Sequence, residues 1–298
     1  MLKRILFITL SLFLINSVFA QDILDGKPNT KFKDSGGIDG AYKKDIRDGE
    51  KDRLEQKYHH VREADVMWAT KIWRDIDLRE KINQVFYYPT QRINDRASLI
   101  DVLMDGINAG DITPYGNATN DDEFKEPMTD SQISRIGIEG TGQPEIFEEY
   151  DEELDSVIQI IDNPKFVTSE VVRYRIKEEW FFDKQRSVMD VRIIGICPLK
   201  EVNKEGLEGQ LQPLFWVYFP ETRKVLKKAE VFNHRKNDAA RLTYDDLFHK
   251  RFFNSYIVKE SNKYDRYINK YKVGLDALVE AERIKDEIFN LEHDLWEY

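Results

Sequence analysis

The stretch from Trp68 to Arg92 is echoed later in the chain, and the echo limits what the chain can fold into. Trp68, Ile76-Asp77-Leu78-Arg79 and Tyr87-Tyr88-Pro89-Thr90-Gln91-Arg92 are matched in order by Trp180, Met189-Asp190-Val191-Arg192 and Tyr218-Phe219-Pro220-Glu221-Thr222-Arg223. Downstream, Thr113-Pro114-Tyr115 and Asp121-Asp122-Glu123-Phe124 are matched by Thr243-Tyr244 and Asp245-Asp246-Leu247-Phe248. The anchors are offset by between 112 and 131 residues, so the copies differ by insertions between anchors, as expected where loops vary over a kept scaffold. The pattern predicts an internal duplication, with Arg62 to Pro127 superposing on Tyr174 to Phe253, Trp68 on Trp180 and Pro89 on Pro220.

Within the first copy, periodicity is ambiguous. Val61, Ala64, Trp68, Ile72 and Ile76 draw a helical stripe, yet Val66, Trp68, Ile72, Ile76, Leu78 and Ile82 share one parity, as a half-buried strand requires. The second copy favours strands. Val172, Tyr174, Ile176, Trp180 and Phe182 share a parity, Asp183-Lys184-Gln185-Arg186 reads as a turn, and Val188 to Cys197 is β-branched and apolar. Both copies are therefore expected to run strand, turn, strand and then an aromatic strand closed by proline, which donates nothing to a ladder. The expected class is α+β: two related β-hairpin-plus-strand/helix units and a C-terminal amphipathic helix.

These segments also carry a resemblance. Val61-Arg62-Glu63-Ala64-Asp65-Val66-Met67-Trp68, Ile76 to Lys81, Tyr87-Tyr88-Pro89 and Trp180 to Arg192 resemble the GldN/PorN family of the type IX secretion and gliding-motility machinery of Bacteroidetes, over about Tyr42 to Tyr298. The resemblance implies a periplasmic, non-enzymatic ring component. Its implied partners are an outer-membrane lipoprotein of the GldK/PorK type, the periplasmic region of a GldM/PorM-type protein, and further copies within the ring.

The N-terminus reads as a secretory signal peptide over residues 1–20. Lys3 and Arg4 precede an apolar run from Ile5 to Ile15, and Val18 and Ala20 suit cleavage before Gln21. Gln21 stands where a lipoprotein would need cysteine, so no direct membrane anchor is expected. Removing Lys3 and Arg4 and no acid takes the net charge from −10 to −12, which argues against nucleic acid or anionic lipid as partner. Cys197 is the single cysteine, so no internal disulfide can form, and its apolar strand reads as a place for a small buried hydrophobe.

Residues 21–57 form a charged arm with little to bury. A first α+β unit is expected over 58–136, an acidic linker over 137–155, a second unit over 156–260 and the C-terminal helix within 261–298. In the first unit Asp95 is expected to cap a helix whose Leu99, Val102, Leu103 and Ile107 share a face and which Gly110 stops, and Thr129 with Gln132 offers a capping box. The run Glu145 to Asp155 holds seven acids in eleven residues, a solvated face or a docking site for a basic surface. Asp155-Ser156-Val157 fits a short O-glycosylation pattern of exported Bacteroidetes proteins. In the last element Ala277, Ala281, Ile284, Ile288, Leu291 and Leu295 alternate at four and three, a stripe expected to pack on its own domain.

No catalytic motif stands out, and no enzyme, cofactor or metal is expected. Asp190 with Glu178 is a conceivable glycosidase-like pair, and Asp77 with Arg79, repeated as Asp190 with Arg192, reads as a structural ion pair. The interaction surface is expected at Trp73, Phe86, Tyr87 and Tyr88, at Glu148, Glu149, Asp151 and Glu152, and at Tyr264, Tyr267 and Tyr271, because aromatics beside charge are the usual interface anchors. The alternative is a cell-wall glycan-binding or glycan-cleaving protein, with exposed Trp73 and Trp216 as sugar platforms.

Overall fold

The alternating segment beginning at Val171 folds as the sequence requires, into a hairpin of β5 (Val171–Asp183) and β6 (Val188–Glu201). Its turn is held by Asp183, whose Oδ1 accepts the Gln185 N–H at 2.9 Å, and Ser187 takes φ 52°. In the first half, β1 (Val66–Asp77) is one unbroken strand that pairs antiparallel with β5, Thr70 opposite Trp180 and Ile76 opposite Tyr174. The computed structural model describes residues 57–93, 96–116, 122–136, 145–151, 156–162, 168–202, 210–233 and 242–295, except the side chains of 145–151 and 156–162. All of them lie in one unit, Leu54–Tyr298. The signal peptide, nearly all of the arm, Asp95, Gly137, Glu152 and Asp155 fall outside them.

The central sheet runs β11 (Tyr256–Glu260), β1, β5, β6, β8 (Trp216–Tyr218) and β2 (Pro114–Tyr115), with β7 (Leu211–Pro213) also on β6. Every pairing in it is antiparallel. Strands of both expected units therefore share one sheet, and β1 is enclosed by two strands from the later part of the chain.

The element order differs between the two copies. After β1 the chain does not form a hairpin; Leu78 to Asn83 turns away from the sheet into the short helix α1 (Gln84–Tyr87), so the expected second and third strands of the first copy are absent. Phe86 is drawn instead into an aromatic cluster with Phe248, at 5.2 Å between ring centroids, and a buried ring there outweighs a strand propensity. In the second copy β8 is present, and Pro220 occupies the first turn of helix α4 (Phe219–Leu226), where a missing N–H costs nothing. The two halves are thus not two like units.

Helix α2 (Leu99–Asn108) is capped by Ser98, whose hydroxyl accepts the Asp101 N–H; its buried Leu99, Val102, Leu103 and Ile107 and the terminator Gly110 at φ 78° are as expected. Helix α3 (Asp130–Ile133) carries the Thr129–Gln132 capping box. The acidic run does not behave as a linker: β3 (Glu145–Asp151) pairs along its length with β4 (Ser156–Asp162) as a separate two-stranded sheet. A further small pair, β9 (Glu230–Val231) and β10 (Leu242–Thr243), leads into helix α5 (Tyr244–His249).

One face of the sheet carries two apolar clusters. The larger joins Ile76, Tyr174, Ile176 and Val217 to α2, α4 and α5. In the smaller, Ile72 and Ile257 receive Ala281, Ile284 and Ile288 of α6 (Leu275–Asp294), with Trp68 and Trp180 at the margin. The C-terminal stripe thus packs on its own domain. Burying a large aliphatic side chain stabilises by about 2–3 kcal/mol. Ile284→Ala should lower the unfolding free energy by about 2–4 kcal/mol, whereas Leu278→Ala on the opposite, exposed side should change it by less than about 0.5 kcal/mol. Urea denaturation of the two variants measures the difference.

Candidate interaction surface

The other face of the sheet combines paired charges with a third apolar cluster, of Trp73, Cys197, Leu199 and Trp216. Register sets Asp77 opposite Arg173, Asp75 opposite Arg175 and Trp73 opposite Lys177, and alternation brings all six side chains to one side. Arg175 grips Asp75 through two hydrogen bonds, Nε to Oδ1 at 2.7 Å and a terminal nitrogen to Oδ2 at 2.9 Å, and Asp75 is 1% exposed. The Asp75 carboxylate raises the Arg175 pKa against the opposing effect of burial. Arg173 Nε donates to Asp77 at 3.1 Å.

Trp73 is 4% exposed and sits between two ammonium groups, Lys259 Nζ at 4.2 Å and Lys177 Nζ at 5.3 Å from its ring centroid. Its indole N–H donates to Asp122 Oδ2 at 2.8 Å, and Lys177 donates to the Asp122 carbonyl at 2.6 Å. Burial lowers the Lys177 pKa, with Asp122 opposing. The segment carrying Asp122 is held down by Phe124, whose ring sits where a Cβ on Gly195 would be, 2.4 Å from Cζ. Only glycine lets that ring approach β6 so closely.

Several sequence-derived sites therefore become core. Trp73 and Phe86 are buried, as is Trp216 at 1% exposure, which packs with Trp73, Cys197 and Leu199; neither tryptophan can present a ring to a sugar. The charges beside Trp73 in the sequence suggested exposure, but Asp75 is itself buried against Arg175. Tyr267 is half-buried beneath the Arg175 guanidinium at 4.9 Å, and half-buried Tyr87 donates its hydroxyl to the Ser169 carbonyl at 3.4 Å. Tyr88, Tyr264 and Tyr271 are exposed. Glu148, Glu149 and Asp151 lie on β3, whose side chains are outside the described set, as are Glu152 and the Asp155-Ser156-Val157 side chains.

The charge pairs expected along the strands also rearrange. Asp77 bonds Arg173 and Arg79 bonds Glu201 at 3.1 Å; Asp190 bonds Arg186 at 3.3 Å, while Arg192 lies over Tyr58 at 5.5 Å. For Asp77, the neighbouring strand offers a better partner than the residue two positions along the chain. Glu178 and Asp190 do not converge. Glu178, opposite Ile193, points to the core face, where Arg251 pairs with it at 2.8 Å and the Trp180 N–H donates to it at 3.1 Å, whereas Asp190 stands opposite Phe181 on the other parity.

Two features were not anticipated. Arg223 makes a buried two-bond contact with Asp245 at 2.7 and 3.0 Å, tying α4 to α5, so that two of the echoed anchors meet each other. Tyr58 stacks over the same guanidinium at 4.8 Å, which fixes where the chain enters the fold. The period-two alternation of Asp75 and Asp77 against Arg173 and Arg175 was the available signal for the charged face.

The exposed apolar side chains gather mainly at two places. One is the region of Ile93 and Phe232, joined through Arg96, which bridges to Ile93 and lies 5.9 Å over the Phe232 ring. The other is the approach to α6, where Arg266 is sandwiched between Tyr264 at 5.0 Å and Tyr271 at 4.7 Å beside Val273, Leu275, Leu278 and Val279. Tyrosine and arginine are residue types enriched at interface hot spots, and an exposed apolar patch beside them marks an interaction surface. Among the described residues no helix is long and apolar enough to cross a membrane.

The charged face yields two expectations. Arg175→Met alone, leaving Asp75 buried without its cation, should cost about 3–5 kcal/mol, while the double variant Asp75→Leu/Arg175→Met should recover most of that loss in a double-mutant cycle. Burial pushes the Cys197 thiol up to about 12, so it should react with a disulfide reagent at pH 8 only after unfolding, followed by absorbance with and without denaturant.

Comparison with curated proteins finds no match. The sequence profile described as gliding motility associated protein GldN matches residues 61–297, which takes in the whole central sheet, its charge-paired face and α6. The chain belongs to the GldN family of gliding motility associated proteins.

Proposed function

We propose that this protein is a non-enzymatic structural subunit of the type IX protein secretion and gliding motility machinery, acting in the periplasm within a ring-like assembly. Its partners in this reading are an outer-membrane lipoprotein of the GldK/PorK type, the periplasmic region of a GldM/PorM-type protein and neighbouring copies of itself. The observation that carries the reading is the family match over residues 61–297. Two further features support it: the export signal read at residues 1–20, and the surface tyrosines Tyr88, Tyr264 and Tyr271, the last two beside arginine and aliphatic side chains. The glycan-binding alternative loses its platforms, because Trp73 and Trp216 are core residues.

In this reading the exported chain is held at the envelope by protein contacts, and stable assembly needs more than about 1,000 Å² of buried interface. The protein should therefore fractionate with membranes while the lipoprotein partner is present and become soluble or degraded when that partner is deleted. Pull-down from crosslinked envelope should recover the lipoprotein, and purified peptidoglycan should not retain the protein. Membrane association in cells lacking every candidate partner would contradict the reading.

A further inference from the structure

Helix α6 buries only one of its sides. Ala281, Ile284 and Ile288 face the sheet, while the opposite side presents Leu275 at 74%, Leu278 at 54%, Val279 at 60% and Phe289 at 66% exposure. Those four residues lie within one stripe of a 3.6-residue period, two-ended, with Glu282 and Asp286 between the ends. An exposed helix stripe of this kind is unfavourable in water unless something covers it.

The charge differs between the segment before α6 and the helix itself, which carries acids along its length, with Arg283 bonded to Glu280 and Glu287 and Lys285 bonded to Glu282. The segment leading into it carries exposed Lys263, Arg266, Lys270 and Lys272, whereas its last turn carries Glu292 and Asp294. The one acid in the leading segment, Asp265, is already bonded to the buried Lys259 at 2.6 Å. The basic segment before one α6 and the acidic last turn of another are complementary when two such helices lie antiparallel, as are exposed Leu278 and Phe289.

We infer that α6 is a self-association surface, where two copies of this chain pair antiparallel through the stripe opposite the core. A crossing point between Arg283 and Ile284 sets Leu278 of one copy opposite Phe289 of the other, each about 8 Å along the axis from that point. The same register sets Glu282 opposite Lys285, which within one chain already pair at 2.7 Å and can exchange partners across the contact. It also carries the cationic segment before each α6 toward the partner's acidic C-terminal turn. The contact is isologous, so it closes as a pair and is distinct from the ring contacts proposed above. Two helices about 30 Å long make an interface at the small end of the specific range, so the pair has a dissociation constant on the order of 10 μM or weaker.

Single-cysteine exchange in the purified exported chain tests the register, with buried Cys197 left in place. Leu278→Cys and Phe289→Cys proteins should each stay largely uncrosslinked alone under mild oxidation and form a disulfide-linked dimer when mixed. Sedimentation equilibrium of the unmodified chain should show a dimer that weakens roughly fivefold or more between about 50 mM and 500 mM NaCl, since the end charges are exposed. Leu278→Asp should abolish the dimer while the thermal unfolding midpoint and circular dichroism stay unchanged.

Crosslinking of Phe289→Cys with itself as strongly as with Leu278→Cys, or a monomer at every concentration and salt level, overturns the inference. So does binding of the monomeric chain to phosphatidylglycerol/phosphatidylethanolamine vesicles that Leu278→Asp removes, which would assign the stripe to a membrane surface instead. Each of these outcomes is independent of the fractionation experiment, so the pairing and the envelope assignment can fail separately.

Discussion

The pairing of β1 with β5 is the constraint on which the rest of the structure depends. It joins residues about a hundred positions apart, and its eleven opposed pairs set the register of both faces of the sheet at once. Because strand side chains alternate, a slip of β1 by one residue would drive Asp75 and Asp77 into the apolar layer, away from Arg173 and Arg175, and expel Ile72 and Ile76 from it. Buried ion pairs add little net stability over apolar replacements, since desolvation offsets most of the attraction. Their effect here is selective: the Asp75–Arg175 contact is satisfied in one register, and a carboxylate 1% exposed tolerates no other arrangement that leaves it unpaired.

Charge also divides the apolar face. Arg74 and Glu178 lie on the same side as Ile72 and Ile176 and stand between the larger cluster, beneath α2, α4 and α5, and the smaller one beneath α6. Glu178 is held by Arg251 and the Trp180 indole, and Arg74 donates to the Ser255 hydroxyl at 2.9 Å, so the buried charges have partners from the chain leading into β11. The helix that closes the domain is thus seated over a small core of its own, bordered by charge. That seating leaves the outer stripe of α6 and the tyrosine–arginine cluster before it facing solvent at the β11 end of the sheet.

Much of this was readable from one dimension, and the failures share a cause. The β5–β6 hairpin was legible because Val172 to Phe182 alternates and a polar turn separates it from an apolar run. The α2 face and its Gly110 stop were legible because helix period and terminator agree. The Thr129–Gln132 box and the inner stripe of α6 were legible for the same reason. Trp73 was misread because its neighbours Arg74, Asp75 and Asp77 suggest solvent, and nothing local reveals that Lys177, Lys259, Arg173 and Arg175 arrive from distant strands to neutralise and cover them. Phe86 was misread because an aromatic run looks like a strand until the α5 ring it packs against is known. The echo of anchors was real as a sequence pattern, but its members serve different ends: Arg223 binds Asp245, whereas Arg92 binds Asp105 and Asp122 serves Trp73.

The arrangement makes a definite claim about cooperativity, because the first and second halves of the chain contribute neighbouring strands to one sheet. Native-state hydrogen exchange read by mass spectrometry or NMR tests it directly. The amides of β1, β5 and β6 should exchange only through global unfolding, at one common free energy and with one common denaturant dependence. If residues 57–136 and 168–260 instead opened as two independently stable units, with different free energies, the halves would be separate domains and the single-sheet account would be contradicted.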